Sequence, residues 1–280
     1  MKNKFLLLTS AVILAATPTV NSFAAPKQID KSTKINQNIS ELGFEIDNSV
    51  APENYVLKYS YDNKNYILPY CVLENNVLTF RAPQTASYDL INNTKQFSDV
   101  KNSSDISFVA ARELFSGVDK NTFAPDAYMT RAMFLQVLAR LDNADLSAYG
   151  KPNFADVDEN AWYAPAISWA SSNNLVISRE NSLLFKPNEP ITREDVASIL
   201  YRYAQNKNFL LWQPGLAVAR PPFTDLDKIS DYARDAVTKL NWAGVLSAKS
   251  ENNFEPTASS TRSEIASVLK NFIERMTQVN

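Results

Sequence analysis

Apolar residues recur at the spacing of an amphipathic helix from residue 105 onwards. Val196, Ile199 and Tyr203, for example, share one face of a segment over 192–205. The same spacing predicts further helices over 105–115, 130–141, 162–172, 229–243 and 261–276. Irregular stretches that contain proline separate these segments, so this part of the chain is expected to form helix-loop-helix units.

Before residue 97 the pattern changes to short runs of β-branched and aromatic residues. These runs lie at 55–59, 66–72 and 77–80, and the turn-forming segments Asp62-Asn63-Lys64-Asn65 and Glu74-Asn75-Asn76 separate them. Residues 41–96 therefore predict a small antiparallel β module of about four strands, which can bury only a thin core.

The helical units share two short motifs, which makes them copies of an internal repeat. A Phe-x-Asp tripeptide opens each copy, at Phe97-Ser98-Asp99, Phe154-Ala155-Asp156 and Phe223-Thr224-Asp225. The dipeptide Thr-Arg opens the second helix, at Thr130-Arg131, Thr192-Arg193 and Thr261-Arg262. The arginines lie 62 and then 69 residues apart, and each copy must pack on its neighbours.

The predicted fold class is therefore α+β with several domains, in which the β module precedes three helix-loop-helix repeats. The repeats are placed at 97–142, 154–205 and 223–276, with a linker at 206–222.

The first residues have the pattern of a secretory signal peptide. Lys2 and Lys4 precede an apolar run that ends in Ser22-Phe23-Ala24, so we expect cleavage after residue 24 and export of the chain. Residues 25–40 are polar and predict a flexible leader. No later stretch approaches the roughly 18 apolar residues of a spanning helix, so no membrane span is expected.

The composition argues against several classes of function. The 28 basic residues nearly balance the 30 acidic ones, so we expect no nucleic-acid partner. The chain has no histidine, which removes the commonest general base and the commonest metal ligand. Cys71 is the single cysteine, and we expect a small apolar side chain buried in a strand, with a bond between two molecules as the alternative.

Two acidic runs have part of the pattern of a calcium loop. Asp156-Val157-Asp158 and Asp225-Leu226-Asp227 are not followed by the glycine and glutamate that such a loop has at its sixth and twelfth positions. We therefore predict no metal site, and the chain has no motif that indicates a cofactor.

Local physics explains the threonine of the Thr-Arg motif but not the arginine. Thr192 is a suitable helix N-cap that Asp195 completes as a capping box, and Thr261 and Glu264 repeat this arrangement. An arginine in the first turn opposes the helix dipole by roughly 0.3 to 1 kcal/mol. Each arginine is therefore expected either to pair with the aspartate of its own repeat or to hold an external anion.

These motifs resemble the S-layer homology domains of Gram-positive bacterial surface proteins. The second copy matches most clearly, with Phe154-Ala155-Asp156-Val157, Trp162-Tyr163-Ala164, Phe185-Lys186-Pro187 and Ile191-Thr192-Arg193-Glu194. The resemblance extends from residue 97 to residue 276. It implies a pseudo-threefold, three-pronged helical assembly whose grooves bind a pyruvylated secondary cell wall polysaccharide without a covalent bond.

The resemblance also implies which residues form the grooves. The arginines of the Thr-Arg motifs would face the grooves, where a planar guanidinium suits the carboxylate of an acidic ketal. The expected groove residues are Arg131, Arg193, Arg262, Asp99, Asp156, Asp225, Trp162 and Gly117.

The three copies depart from the family pattern in different ways. The glycine of the inter-helix loop is kept as Gly117 in the first copy, but Ser178 and Ala248 stand there in the second and third. The first copy has Met133 where the third has its capping glutamate. We therefore expect unequal grooves, and the best one is predicted to combine Gly117 with Arg131.

Three functions are compatible with this sequence. The first is non-covalent anchoring at the cell surface, the second is self-assembly with other S-layer proteins, and the third is a wall-anchored enzyme. The short N-terminal module and the missing histidine argue against an enzyme. A large assembly region, which array-forming proteins usually have, is not evident. Non-enzymatic anchoring of an exported protein is therefore the predicted function.

Overall fold

The structure is a computed structural model that describes residues 27–28, 39–46, 49–61, 64–81, 88–176, 183–209, 211 and 222–278. The predicted signal peptide, most of the predicted leader, most of the linker and Ser178 lie outside the described residues.

Strands of the N-terminal part form two small antiparallel sheets. The described strands are β1 (Lys27–Gln28), β2 (Ile39–Glu45), β3 (Tyr55–Tyr61), β4 (Lys64–Leu68), β5 (Cys71–Glu74), β6 (Val77–Arg81) and β7 (Tyr88–Asn92). One sheet has the order β1-β2-β6-β5 and the other has the order β4-β3-β7. Since β1 pairs with β2 and falls within the predicted flexible leader, this part of the leader is a strand.

The single strand expected over 66–72 is wrong, because the run is divided between the two sheets. β4 ends at Leu68 and β5 begins at Cys71, with Pro69 and Tyr70 between them. Proline has no N–H for a sheet ladder, which favours a break at this point. Cys71 is fully buried in β5, which confirms the prediction of a small apolar side chain in a strand.

The β5-β6 hairpin turns where the sequence predicted. Asn75 and Asn76 connect the strands with φ values of 50° and 63°. Positive φ at both central residues is what a two-residue hairpin turn requires, and asparagine tolerates this conformation.

All the predicted helices are present in the described part of the chain. They are α1 (Ser104–Ala111), α2 (Arg131–Leu141), α3 (Ala164–Ser172), α4 (Arg193–Asn206), α5 (Asp231–Trp242) and α6 (Arg262–Gln278). The first was expected to reach residue 115, but it ends earlier because Glu113 takes a φ of 57°, outside the helical region. Helices and small antiparallel sheets together make this an α+β protein.

The threonines of the Thr-Arg motifs cap their helices as predicted. The side-chain oxygens of Thr130 and Thr192 accept the backbone N–H three residues on, at 3.2 and 3.3 Å. In the third repeat the Thr261 hydroxyl accepts the Glu264 N–H at 3.2 Å, while the Glu264 carboxylate accepts the Thr261 N–H at 2.9 Å. This reciprocal pair is a capping box.

Three backbone hydrogen bonds join the repeats in a closed cycle. The Met129 N–H donates to Ser260 O at 3.0 Å, the Ser260 N–H donates to Ile191 O at 2.9 Å, and the Ile191 N–H donates to Met129 O at 2.9 Å. Each residue lies just before the second helix of its own repeat. The starts of α2, α4 and α6 therefore meet around these bonds, and the third repeat contacts the first directly.

The β module packs at the other ends of these helices. The Tyr203 hydroxyl, near the end of α4, lies 3.1 Å from both the Tyr70 hydroxyl and Asp142 Oδ1. Arg81 donates a hydrogen bond to the carbonyl of Met276, near the end of α6. The β module and the repeats each have a buried apolar core, and these contacts join the two.

Among the described residues, no helix combines the length and the apolar character needed to cross a bilayer.

Candidate functional site

The aspartate of each Phe-x-Asp motif holds the loop between the two helices of its repeat. The Asp99 carboxylate accepts the N–H groups of Phe123 and Ala124 at 2.8 and 2.7 Å. Asp156 and Asp225 make the same pair of bonds with Phe185-Lys186 and Phe254-Glu255. These N–H donors, that of Phe123 foremost, lower the pKa of Asp99. The three aspartates therefore have a structural role as loop anchors.

Each arginine of the Thr-Arg motifs contacts the loop of the next repeat around the cycle. Arg262 of the third repeat donates to Phe123 O and Ser116 O of the first, both at 2.7 Å. Arg193 donates in the same way to Phe254 O at 2.6 Å and Ser247 O at 2.7 Å. Arg131 donates to Phe185 O at 2.9 Å.

The expected pairing of each arginine with the aspartate of its own repeat is wrong. Burial lowers the pKa of Arg262, and the aspartate that partly offsets this effect is Asp99 of the first repeat. Burial likewise lowers the pKa of Arg193, and Asp225 of the third repeat is among the carboxylates that oppose this shift. The cycle therefore brings each of these two arginines near an aspartate that belongs to another repeat.

One groove combines residues from all three repeats, and we call it the Gly117 groove. It has a volume of about 330 Å³. Gly117 comes from the first repeat, Trp162 from the second and Arg262 from the third. Its lining residues are Phe115, Ser116, Gly117, Val118, Met129, Met133, Gln136, Val137, Arg140, Trp162 and Arg262. The prediction that Arg131 accompanies Gly117 is wrong, because the cycle places Arg262 there.

The charged groups of the Gly117 groove are all cationic. Among the described residues, its lining includes the guanidinium groups of Arg140 and Arg262 and no carboxylate. Burial lowers the pKa of both side chains, and the proximity of Arg140 lowers that of Arg262 further. Arginine stays protonated despite such shifts, so the groove is suited to an anion.

Apolar side chains border the cationic part of this groove. The Trp162 side chain is 60% exposed and packs against Tyr163, with their ring centroids 5.2 Å apart. Val118 and Met133 are also exposed. An exposed aromatic face beside charged donors can contact the C–H surface of a sugar while the arginines bind an acidic substituent.

The other two arginines lie in more closed surroundings. Arg193 lines a cavity of only about 10 Å³ together with Glu264, which is room for a single water molecule. Arg131 makes an ion pair of 2.5 Å with Asp195, whose other oxygen accepts the Tyr232 hydroxyl at 2.9 Å. The structure therefore separates the eight predicted residues, and only Gly117, Trp162 and Arg262 line the Gly117 groove.

Gly117 is required by the backbone of its own loop. A Cβ atom at this position would lie 2.3 Å from Asp119 O and 2.8 Å from Thr122 O, much closer than carbon and oxygen can approach. The next residue, Val118, donates its N–H to Thr122 O at 2.8 Å. The absence of a side chain thus lets the loop turn tightly beside the groove.

Ala248 occupies the corresponding position of the third repeat. Its neighbour Lys249 donates to Asn253 O at 2.9 Å, so that loop keeps the equivalent hydrogen bond. An alanine therefore requires the surrounding loop to shift but does not abolish the turn.

Gly117→Ala is expected to lower the free energy of unfolding by about 1–3 kcal/mol, because two carbonyls must move away from the new methyl group. Gly150→Ala is the matched control, since no atom lies within 4 Å of the position of its Cβ. It should change stability by less than about 0.5 kcal/mol. Urea unfolding of both variants measures the difference, and equal stabilities would contradict this explanation of Gly117.

Sequence reasoning missed Arg140 as a groove residue. Its guanidinium donates to Leu114 O at 3.1 Å and to the Ser116 hydroxyl at 3.3 Å, which holds it against the loop. Aligning the repeats on their Thr-Arg motifs would have placed Arg202 and Asn271 at the same position. The recurrence of an arginine at this helix position in the first two repeats was therefore a sequence signal for a groove residue.

In the described part of the chain, no group of three or more His, Cys, Asp or Glu side chains could hold a metal ion. The described residues that line the groove offer two cationic guanidinium groups and no carboxylate, which disfavours a hard cation.

Comparisons with known proteins agree with the repeat organisation. The S-layer homology domain matches the chain at residues 96–133, 153–197 and 222–266. These three matches include the Phe-x-Asp and Thr-Arg motifs.

Several curated proteins are similar to this chain over part of their length. An amylopullulanase of Thermoanaerobacterium thermosulfurigenes is 28% identical over 204 residues, which are 72% of this chain and 11% of that protein. A cellulosome-anchoring protein of Acetivibrio thermocellus is 25% identical over 162 residues, covering 57% of this chain and 35% of that protein. The S-layer protein sap of Bacillus anthracis is 30% identical over 95 residues, 34% of this chain and 11% of that protein. The chain thus spans only a minor part of each relative.

Proposed function

Because this chain carries three S-layer homology domains, we propose that it is exported and held non-covalently at the cell surface by binding a secondary cell wall polysaccharide. The relatives named as cellulosome-anchoring and S-layer proteins support a place at the surface. The closed cycle of backbone bonds between repeats supports a pseudo-threefold, three-pronged arrangement of the domains.

The observation that carries this proposal is the Gly117 groove, whose lining by described residues has two arginines and no carboxylate. A pyruvylated glycan has a carboxylate on its ketal, and Arg262 and Arg140 would provide the charge-assisted hydrogen bonds for it. The sugar ring would lie against the exposed face of Trp162, which is 60% accessible. Burial of the Arg262 guanidinium strengthens its attraction for an anion relative to an arginine in free solution.

The same groove supports a binding role without catalysis. Among the described residues that line it, the titratable groups are the two arginines, and neither can accept a proton from a substrate at neutral pH. Glycoside hydrolysis generally uses a pair of carboxyl groups on either side of the scissile bond. The relatives named as glycan-degrading enzymes are matched over a small part of their length, so their activities do not transfer to this chain.

A pull-down on purified Gram-positive cell walls tests the proposal. We expect the purified chain to sediment with intact walls and to stay in solution after hydrofluoric acid has removed the polysaccharide. Binding to the extracted walls as strong as to intact walls would contradict the proposal, and so would a lack of binding to both. Two-dimensional arrays formed by the purified chain alone would favour self-assembly as the function instead.

A further inference from the structure

One short segment of the β module contacts all three repeats. We call residues 69–81 the docking segment, which runs from the link between β4 and β5 to the end of β6. Its polar contacts with the first, second and third repeats are, in this order, Pro69 O with Arg112 at 3.2 Å, the Tyr70 hydroxyl with that of Tyr203 at 3.1 Å, and Arg81 with Met276 O. The β module therefore bridges the repeats at the ends opposite to the cycle of backbone bonds.

Aromatic packing reinforces these polar contacts. The Tyr70 ring meets the Phe209 ring edge-on, with their centroids 5.3 Å apart, and the Arg81 guanidinium lies 5.6 Å from the centroid of Phe209. Phe209 in turn contacts Phe272 of α6 at 6.2 Å. Val72 of the docking segment also packs against the apolar core of the repeats. The docking segment thus takes part in the core of the repeats.

Two arginines at this junction bind carbonyls at the C-terminal ends of helices. Arg81 donates to Met276 O in the last turn of α6, and Arg112 donates to Phe108 O in the last turn of α1 at 3.0 Å. Such carbonyls lack partners within the helix and carry partial negative charge, so a cation stabilises them. Arg112 is buried and also donates to Cys71 O, so separating the module from the repeats would leave a buried charge without acceptors.

Both helices that carry the arginines of the Gly117 groove end at this junction. Arg140 lies in α2, and Asp142, which follows α2, accepts the Tyr203 hydroxyl at 3.1 Å. Arg262 begins α6, whose last turn contains Met276. The starts of the same helices are fixed by the cycle of backbone bonds. The relative position of the two guanidinium groups therefore depends on both ends of these helices.

We infer that the β module is a positioning element of the Gly117 groove, and that the module and the three repeats form one folding and binding unit. Tyr70 is its central positioning residue, since its hydroxyl and its ring both contact the repeats. Groups that are held in place before binding lose less entropy when a ligand arrives. The effect on affinity rests on the proposed function, whereas the joint unfolding rests on the geometry alone.

The wild-type chain carries separate reporters for its two parts. Its single cysteine, Cys71, lies in β5, and its four tryptophans all follow residue 160, in the repeats or in their linker. In urea, tryptophan fluorescence follows the repeats, and brief pulses of a thiol reagent follow the β module. Both curves should have the same midpoint, as expected for one cooperative unit. Labelling of Cys71 in urea at which the fluorescence is still native would overturn the inference, because an independent domain opens alone.

A second test compares Tyr70→Ala with Tyr66→Ala. Tyr66 is also a partly buried tyrosine of the β module, but its ring stacks on Tyr59 of the same sheet, with the centroids 5.2 Å apart. Both variants remove one partly buried ring and should unfold at lower urea concentrations than the wild-type chain. Tyr70→Ala in addition removes the contacts with Tyr203 and Phe209.

The groove is monitored in the absence of urea through the Arg262 Nε–H group, which donates to Phe123 O at 2.7 Å. Its hydrogen exchange, measured by nuclear magnetic resonance, should be about fivefold faster or more in Tyr70→Ala than in Tyr66→Ala. Binding is measured by calorimetry with the methyl glycoside of a hexose that carries a pyruvate ketal. Its affinity should fall about threefold or more in Tyr70→Ala, because a smaller fraction of the chain is competent to bind, and should stay within about twofold of wild type in Tyr66→Ala.

Equal exchange of the Arg262 Nε–H group in the two variants would overturn the inference. Faster exchange in Tyr70→Ala with unchanged affinity would overturn the role of the module in binding. Faster exchange without any binding of the probe by the wild-type chain would overturn the proposed ligand and leave the inference intact. If Tyr70→Ala does not fold, Tyr70→Phe and Tyr66→Phe replace the pair, and the same differences in the same direction are expected.

Discussion

Arg262→Ala is expected to weaken binding to cell walls by about 100-fold, since removing one partner of a buried charge pair typically costs about 2–5 kcal/mol. Arg262 is one of the two arginines of the Gly117 groove, which the exposed Trp162 also lines. A pull-down with increasing amounts of wall polysaccharide measures the apparent affinity.

Arg193→Ala is the matched control for this change. The Arg193 guanidinium donates to Phe254 O and Ser247 O, and that of Arg262 donates to the corresponding carbonyls of the first repeat. Each variant leaves two carbonyls without a donor, so both should lose about 2–4 kcal/mol of stability.

Only Arg262→Ala should lose wall binding, because Arg193 lines a cavity that is too small for a sugar. If the two variants bind walls equally weakly, the loss reports damage to the contacts between repeats. The assignment of the ligand to the Gly117 groove would then be wrong.

Arg112→Met is expected to lower the free energy of unfolding by about 3–5 kcal/mol, because several buried carbonyl oxygens lose their donor at a cost of about 1–3 kcal/mol each. Arg112 follows α1 and is only 2% exposed. It donates to Pro69 O, Glu53 O and Phe108 O at 3.0 to 3.2 Å, and also to Cys71 O. Methionine fills a similar volume but leaves these buried acceptors without a donor.

Urea unfolding measures this loss of stability, and the reactivity of the Cys71 thiol shows whether the β module is the part that opens. Cys71 is fully buried in the wild-type chain and is its single cysteine, so a thiol reagent reports opening of the β module without ambiguity. Labelling should be faster in Arg112→Met, because the guanidinium joins the β module to the first repeat.

Arg234→Met provides the control for the loss of an arginine that donates to carbonyls. Arg234 donates to Leu226 O and Ile229 O, but 47% of its side chain is exposed, so water can replace it. Its loss should cost less than about 1 kcal/mol. A similarly small effect of Arg112→Met would show that the buried guanidinium contributes little to holding the β module.

Local features of the fold were predictable because they depend on neighbouring residues. The spacing of Val196, Ile199 and Tyr203 predicted α4, and all three side chains are buried in the core. The pair Thr261 and Glu264 predicted a capping box that the structure contains. In each case the periodicity or the hydrogen bond spans a few residues of one helix.

The contacts between repeats were not predictable from one sequence. Arg131 and Gly117 belong to the same repeat, which favoured placing them in one groove, but the guanidinium of Arg131 reaches Asp195. Arg262 contacts Phe123, 139 positions away in sequence, because the third repeat closes the cycle onto the first. No periodicity or spacing along the chain records which repeats become neighbours.

The division of the predicted strand over 66–72 into β4 and β5 also depends on contacts between residues that are distant in the sequence. The strand signal was correct on both sides, but Pro69 interrupts it and the two halves join different sheets. The Tyr70 hydroxyl turns towards Tyr203 of α4, a contact with a residue 133 positions away. Tertiary packing therefore divided into β4 and β5 a run that local propensity alone predicted as one strand.

The closed cycle also changes what counts as the functional unit of this chain. Since Gly117, Trp162 and Arg262 come from three different repeats, boundaries drawn along the sequence cut through the Gly117 groove, which is the proposed binding site. A truncation after the second domain would remove Arg262 from the groove and leave Gly117 and Trp162 in place. A single copy of the domain could not form such a groove, because the groove exists only where copies meet and the last one returns to the first.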